Sequence, residues 1–258
     1  MYRAIAADLD GTLLQNGIRV IDDETITLIK AYTARGGLFL PASGRQYPNL
    51  RMMFREAADD IAYVAENGCL VLFEGHIVDR PVMDRKLALD VIDAIRSIPG
   101  AKLAVSGVNC TYIVSGDEDF YDHIENYVKT KAVVMERMED VPEDFSKISA
   151  YSRDGVELFD SKLKDLFSDR LNVVTSGLYW TDIMPMGVHK GRGVEAISRV
   201  SGIPLSDFVA LGDHCNDLEM MSIVGHPACV DNAIPEVKAL CEKQMEKGTE
   251  LLKYYLTA

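Results

Sequence analysis

Positive charge is scarce in this chain. Its 258 residues carry 27 Lys and Arg against 40 Asp and Glu, a formal net charge of -13. That balance excludes sequence-independent nucleic-acid binding, which needs a field of cations to displace phosphate counterions. Cysteine is sparse as well: Cys69, Cys110, Cys215, Cys229 and Cys241 form no CxxC pair and are odd in number. No disulfide framework is expected, and reduced thiols suit a cytoplasmic protein. No apolar run approaches the ~18 to 20 residues that cross a bilayer. Met1-Tyr2-Arg3 leads into a mixed segment without a signal-peptide layout, so the cytoplasm is the expected compartment and no membrane partner is expected. Fixed-period repeats and low-complexity tracts are missing too, which removes solenoids and long linkers. Nothing in the chain reports an oligomeric state. What is there is an ordinary globular composition, 48% hydrophobic and 26% charged, at a length suited to one large domain or two unequal ones. Against the acidic field, any site for an anion must be built locally from a few positioned cations or a metal ion.

The order of elements is legible in the apolar pattern. Ile5-Ala6-Ala7 reads as a buried strand ending in Asp8, Asp22 to Arg35 as a capped helix, Leu38 to Ala42 as a second strand, and Tyr47 to Ala58 as a second helix. Ile61 to Ala65 reads as a third strand, so the chain begins as a doubly wound α/β fold. The rhythm changes at a hairpin turning on Glu74-Gly75, and residues 81–186 read as an α+β insert. Within it, Asp84 to Ile98, Asp117 to Glu125 and Phe159 to Phe167 are expected helices. Lys102 to Ser106, Thr111 to Ser115, Ile148 to Tyr151, Leu171 to Thr175 and Trp180 to Met184 are expected strands. Residues 187–258 resume the first rhythm with a helix from Lys190, a strand over Phe208 to Leu211, a helix from Asp217, a strand at Ala228 to Val230 and helices from Pro235. The expected fold is a Rossmann-like, doubly wound parallel-sheet core, residues 1–80 and 187–258, interrupted by the insert.

Three strand ends carry polar clusters: Asp8 with Asp10 and Thr12, Ser43 with Arg45, and Asp213 with Asn216 and Asp217. A parallel sheet brings such ends to one edge, where open α/β sheets bind ligands. Phosphoryl transfer needs a nucleophile, a proton donor for the leaving oxygen and fixed positive charge on the equatorial oxygens. Asp8 can attack phosphorus if a cation lies between it and the phosphate dianion, and Mg²⁺ suits a site of one or two carboxylates such as Asp8 and Asp213. Asp10, past a turn that Gly11 allows, can reach the leaving oxygen. Thr12 with its loop amides, Ser43 and Lys190 can hold phosphoryl oxygens.

Asp8-Leu9-Asp10-Gly11-Thr12-Leu13-Leu14, Ser43-Gly44-Arg45, Lys190 within Gly187-Val188-His189-Lys190-Gly191, and Gly212-Asp213-His214-Cys215-Asn216-Asp217 stand in this order. Together they resemble the four motifs of the haloacid dehalogenase superfamily of phosphatases, in its Cof-type branch with a large α/β cap between the second and third motifs. The resemblance implies an Mg²⁺-dependent phosphate-monoester hydrolase acting on small phosphorylated metabolites such as sugar phosphates. It makes Asp8 the nucleophile and Asp10 the general acid and base, with phosphoryl binding by Thr12, Ser43, Gly44, Lys190 and Asn216. The implied metal ligands are Asp8, the backbone carbonyl of Asp10, Asp213 and Asp217, the last as a ligand or a neighbour of one. The cap would close over the site and read the leaving group. Two other readings stay open: a sugar phosphomutase of the same superfamily, and a phosphate- and Mg²⁺-responsive regulatory protein.

Each residue also has a plainer reading. Asp10-Gly11 alone is a turn, Ser43 an N-cap for the following helix, Lys190 a solvated lysine, and Asp213 with Asp217 a charged helix start. Arg45 either touches substrate or pairs with an acidic neighbour. Cys215 lacks the partners of a catalytic thiol, and His189 and His214 are expected to be neutral neighbours of the site.

Overall fold

A computed structural model describes residues 2–15, 17 and 20–258; Met1, Asn16, Ile18 and Arg19, which fall in the expected core segment, lie outside the described residues. The chain forms two compact units, Met1–Arg80 with His189–Ala258, and Pro81–Val188.

The first unit is built on a five-stranded parallel sheet in the order Lys243–Met245, His226–Val230, Phe208–Gly212, Ala4–Ala7, Leu38–Pro41. Ala4–Ala7 is an interior strand and fully buried, and its unbroken apolar run is what a strand covered on both faces requires. On one face Ala4, Ala6, Leu40, Phe208 and Ala210 pack with Val194 and Ile197 of the helix Lys190–Ser201 and with Met220 and Met221 of Leu218–Ile223. Ile5, Val209 and Leu211 alternate to the other face. Helices Asp23–Ala34 and Gly248–Thr257 pack on each other there and on the sheet. Asp22 caps the first of them by accepting the Thr25 N–H at 2.8 Å.

The third expected strand behaves differently. Tyr63–Ala65 meets the main sheet through a single parallel bridge, Ala42 to Val64, and otherwise pairs antiparallel with Leu70–Phe73, which pairs in turn with His76–Asp79. The chain reverses at once after Ala65 instead of crossing over, because Glu66, Asn67 and Gly68 all take positive φ. The expected hairpin turn at Glu74-Gly75 is present, again with both residues at positive φ.

In the second unit a six-stranded sheet runs Leu171–Ser176, Trp180–Pro185, Ile148–Tyr151, Lys102–Ser106, Thr111–Val114, Ala132–Met135. It is antiparallel except between the last two strands. Helices Arg85–Arg96 and Asp160–Phe167 cover one face, setting Val91, Ile92, Ile95 and Leu163 against Leu103, Val105, Ile148 and Ile183. The other face carries Phe120, Ile124 and Tyr151. Among the described residues no helix is long and apolar enough to cross a membrane.

Candidate active site

Parallel pairing delivers Asp8 and Asp213 together. Ala7 lies opposite Leu211 and the Asp8 N–H donates to the Leu211 carbonyl at 2.8 Å, so the residues after these two strands leave the sheet at one edge. The order of strands also reverses here, since the chain moves from Ala4–Ala7 to Leu38–Pro41 on one side and returns to Phe208–Gly212 on the other. Such a reversal leaves a crevice between diverging loops. Leu9 to Leu14 fold into a tight turn, with the Thr12 and Leu14 amides donating to the Leu9 carbonyl. Gly11 is essential to it: its φ is +91, and a Cβ there would lie 2.3 Å from Asp213 Oδ2.

Lys190 is the hub. Its side chain is 0% exposed, and Nζ donates to Asp8 Oδ1 at 2.6 Å and to Asp217 Oδ1 at 2.7 Å. The helix that presents it is capped by His189, whose Nδ1 accepts the Arg192 N–H at 3.1 Å. Asp217 is also 0% exposed. Its second oxygen accepts the backbone amides of Asp213 at 2.9 Å and His214 at 3.1 Å, closing the loop before Leu218–Ile223. Gly212 makes room for that carboxylate, since a Cβ there would lie 2.6 Å from Asp217 Cγ.

Three buried carboxylates, Asp8, Asp213 and Asp217, lie with ligand atoms within 4.8 Å of one another and face one ammonium. Burial pushes Asp8 up to about 7, against the pull of Lys190 and with help from the charges of Asp217 and Asp213. Burial likewise raises Asp213, relieved in part by the Thr12 hydroxyl. For Lys190 burial works towards the neutral amine, but the charges of Asp8 and Asp217 outweigh it and raise its pKa, so it stays an ammonium. Carboxylate oxygens of Asp8 and Asp213 lie within 4.8 Å of each other. Two carboxylates so placed need a shared proton or a cation between them, and an oxygen-only donor set of this charge fits a hard divalent ion.

The other residues singled out by the motifs have the following partners. Thr12 is fully buried, its amide is spent on Leu9, and its hydroxyl donates to Asp213 Oδ1 at 2.9 Å. Here the hydroxyl orients a carboxylate at the edge of the site. Ser43 is no helix N-cap: the helix Tyr47–Phe54 starts after Gln46, and the Ser43 hydroxyl oxygen accepts the Arg45 N–H at 3.2 Å. Arg45 pairs with an acidic neighbour, donating through Nε and Nη2 to the two oxygens of Asp10 at 2.8 and 2.6 Å. Asp10 stays 57% exposed within that fork. Asn216 donates to Asn67 Oδ1 at 3.2 Å, and Cys215 is exposed beside His214.

Asn232 was not anticipated. It follows the strand His226–Val230 and donates to the Gly11 carbonyl at 3.1 Å and to Asp213 Oδ2 at 3.3 Å, while its own carbonyl accepts Gln15 Nε2 at 2.6 Å. The available signal was position alone, a polar side chain two residues past a fourth parallel strand.

Residues 5–250 match the family model of the haloacid dehalogenase-like hydrolases. The chain is 27% identical over 232 residues to a 5-amino-6-(5-phospho-D-ribitylamino)uracil phosphatase of Escherichia coli, covering 90% of this chain and 86% of that one. It is 26% identical over 246 residues to an HMP-PP phosphatase of an Enterobacter species, covering 93% and 88%. A crystal structure of a haloacid dehalogenase-like hydrolase from Bacteroides thetaiotaomicron superposes with a TM-score of 0.85 at 18% identity, over 99% of this chain and 100% of that one.

Proposed function

Because the chain belongs to the haloacid dehalogenase-like hydrolases and is a phosphatase of their Cof-type branch, we propose that it hydrolyses phosphate monoesters of small metabolites through an aspartyl phosphate on Asp8. The observation that carries this reading is the buried triad of Asp8, Lys190 and Asp217 beside Asp213 at the carboxyl edge of a parallel sheet. A name such as that of the phosphoribitylamino-uracil phosphatase among the relatives supports a sugar-linked phosphate as substrate.

Asp8 attacks phosphorus, the bond from phosphorus to the ester oxygen breaks, and Asp10 gives that oxygen its proton. Asp10, left ionised by that step, takes a proton from the water that attacks the acyl phosphate and so recovers the one it gave, with Arg45 in reach of its oxygens throughout. Orthophosphate leaves and Asp8 is regenerated. Asp8, Asp213 and the Asp10 backbone carbonyl are the groups to hold Mg²⁺, with Asp217 spent on Lys190 and the loop amides. Bound there, Mg²⁺ offsets the repulsion between the carboxylates and the phosphate dianion. Lys190 keeps Asp8 in place and offers its remaining N–H to the transferring group.

Phosphate release from a panel that includes p-nitrophenyl phosphate, sugar phosphates and 5-amino-6-(5-phospho-D-ribitylamino)uracil, with and without EDTA, tests this. Turnover that EDTA stops and Mg²⁺ restores is expected; a folded protein inert on the whole panel sinks the reading. A stability test runs alongside it. Because Asp8 is raised in the folded state, the metal-free fold holds that proton more tightly than the unfolded chain, and this group's ionisation costs stability as pH rises from about 4 to about 7. Mg²⁺ binds the ionised site, so it should raise Tm more at about pH 8 than at about pH 5. Equal Mg²⁺ shifts at both would remove Asp8 from the metal site.

A further inference from the structure

The residues that end the strand Tyr63–Ala65 are strained. Glu66, Asn67 and Gly68 take φ of 52, 55 and 100 in succession, a region that glycine and asparagine tolerate and that strains Glu66. Such a run persists only where its surroundings impose it, and here they are the Ser43-Gly44-Arg45 loop. Ser43 N–H donates to the Val64 carbonyl at 3.0 Å, Glu66 N–H to the Arg45 carbonyl at 3.0 Å, and Asn67 N–H to the Ser43 carbonyl at 2.9 Å. These three backbone bonds tie the two loops together and hold the position of Asn67.

That side chain has one end tied and one end free. Oδ1 accepts Asn216 Nδ2 at 3.2 Å, while Nδ2 lies beside Gly44, where a Cβ would sit 3.2 Å from it. Among the described residues neither Asn67 Nδ2 nor the Gly44 N–H donates to a protein group. Next to them, the Ser43 hydroxyl oxygen accepts from Arg45 N, and among the described residues its proton has no protein acceptor. Lys190 is a limited source of further donors, because two of its three N–H bonds go to Asp8 and Asp217. Lys190 and Ser43 together supply only two side-chain donors, so the lone pairs of the three equatorial phosphoryl oxygens can take further ones.

We propose that Asn67 is a phosphoryl-binding residue: its Nδ2, aimed by Asn216, donates alongside the Gly44 N–H to the transferring phosphoryl group. This inference rests on the phosphatase reading of the same site. Asn216 is then a positioning residue that acts through Asn67. The left-handed Asn67 thereby brings an amide side chain to the strand end while its own backbone N–H holds the Ser43 carbonyl.

Asn67→Gly is the decisive variant, because glycine accepts this φ and only the amide is lost. Expected are a fall in kcat/KM of about a hundredfold, the scale of one lost oxyanion donor, and an orthophosphate affinity at least about tenfold weaker by calorimetry in Mg²⁺. Tm and the Mg²⁺ half-saturation should stay at wild-type values. Asn216→Ala should lose part of the same effect and add nothing to Asn67→Gly in the double variant. Wild-type orthophosphate affinity in Asn67→Gly overturns the proposal, and so does an affinity loss that merely follows a fall in Tm or in Mg²⁺ binding. A wild type that binds orthophosphate but hydrolyses nothing ends the phosphatase reading, while the affinity comparison still decides the role of Asn67. A wild type that binds no orthophosphate overturns it outright.

Discussion

Replacing Lys190 by Met should cost the metal-free protein about 3–5 kcal/mol. Lys190 has no exposed surface, and it is the partner shared by Asp8 and Asp217. Removing it leaves three buried carboxylates without an ammonium, and an uncompensated buried charge costs far more than a severed surface pair. In a chain of this size that loss lowers Tm by on the order of 10 °C. Two further measurements identify the cause. Adding Asp217→Asn to Lys190→Met should return part of the lost stability, because it removes one of the stranded charges. Saturating Mg²⁺ should return part as well, through the carboxylates that remain. A Lys190→Met protein as stable as wild type, with or without these additions, would contradict the placement of the lysine. Turnover should fall by at least about a thousandfold in both variants, with or without added Mg²⁺, since the donor that holds the nucleophile is gone.

Asp8→Asn should behave in the opposite way, losing almost all turnover and little stability. The amide cannot form an acyl phosphate, and losing a nucleophile that works as part of a unit costs on the order of 10⁴-fold or more. Its effect on the fold is the balance of two changes: a neutral side chain gives up its charge interaction with Lys190, and it also stops repelling Asp213 and Asp217, whose charges help to raise Asp8. Lys190 keeps Asp217 at 2.7 Å. Tm is therefore expected within a few degrees of wild type, and Mg²⁺ should shift it less. Acid quenching of wild type during turnover, followed by mass spectrometry, should show one added phosphoryl group on the peptide containing Asp8 and none in Asp8→Asn. A fully active Asp8→Asn protein would falsify the mechanism.

The frame of the fold was legible because its signals are redundant. Ala4–Ala7, Leu38–Pro41 and Phe208–Gly212 are covered on both faces and so read as plain apolar runs, and Asp22 and Asp84 mark helix starts by the caps they make. Less of the periphery could be read. Ala132–Met135 and Lys243–Met245 lie at the edges of their sheets and are short, so neither burial nor alternation singles them out. The turn of π-helix at His123–Val128 continues an apparently ordinary helix. At the site, the sequence marked where functional groups emerge and could not show how they divide among partners. Thr12 was equally able to face a phosphate or Asp213, and the choice depends on a strand 200 residues away. Asn67 and Asn232 are single polar residues past strand ends, with nothing in their neighbourhoods to separate them from loop asparagines.

Interior placement of the first strand has a cost in time. Ala4 pairs with Leu38 on one side, yet its other neighbour, Phe208, is made only after roughly two hundred more residues. At about 5–20 residues per second a growing chain waits on the order of 10 to 40 s with that edge unpaired, while the unit of residues 81–188, with its own sheet and core, is synthesised in between. Ala-Ile-Ala-Ala is a poor template for stray β-pairing during that interval, because short methyl side chains offer little to bury. The strand that finally needs small residues to fit beneath two layers of helices is thus also protected while it is being made.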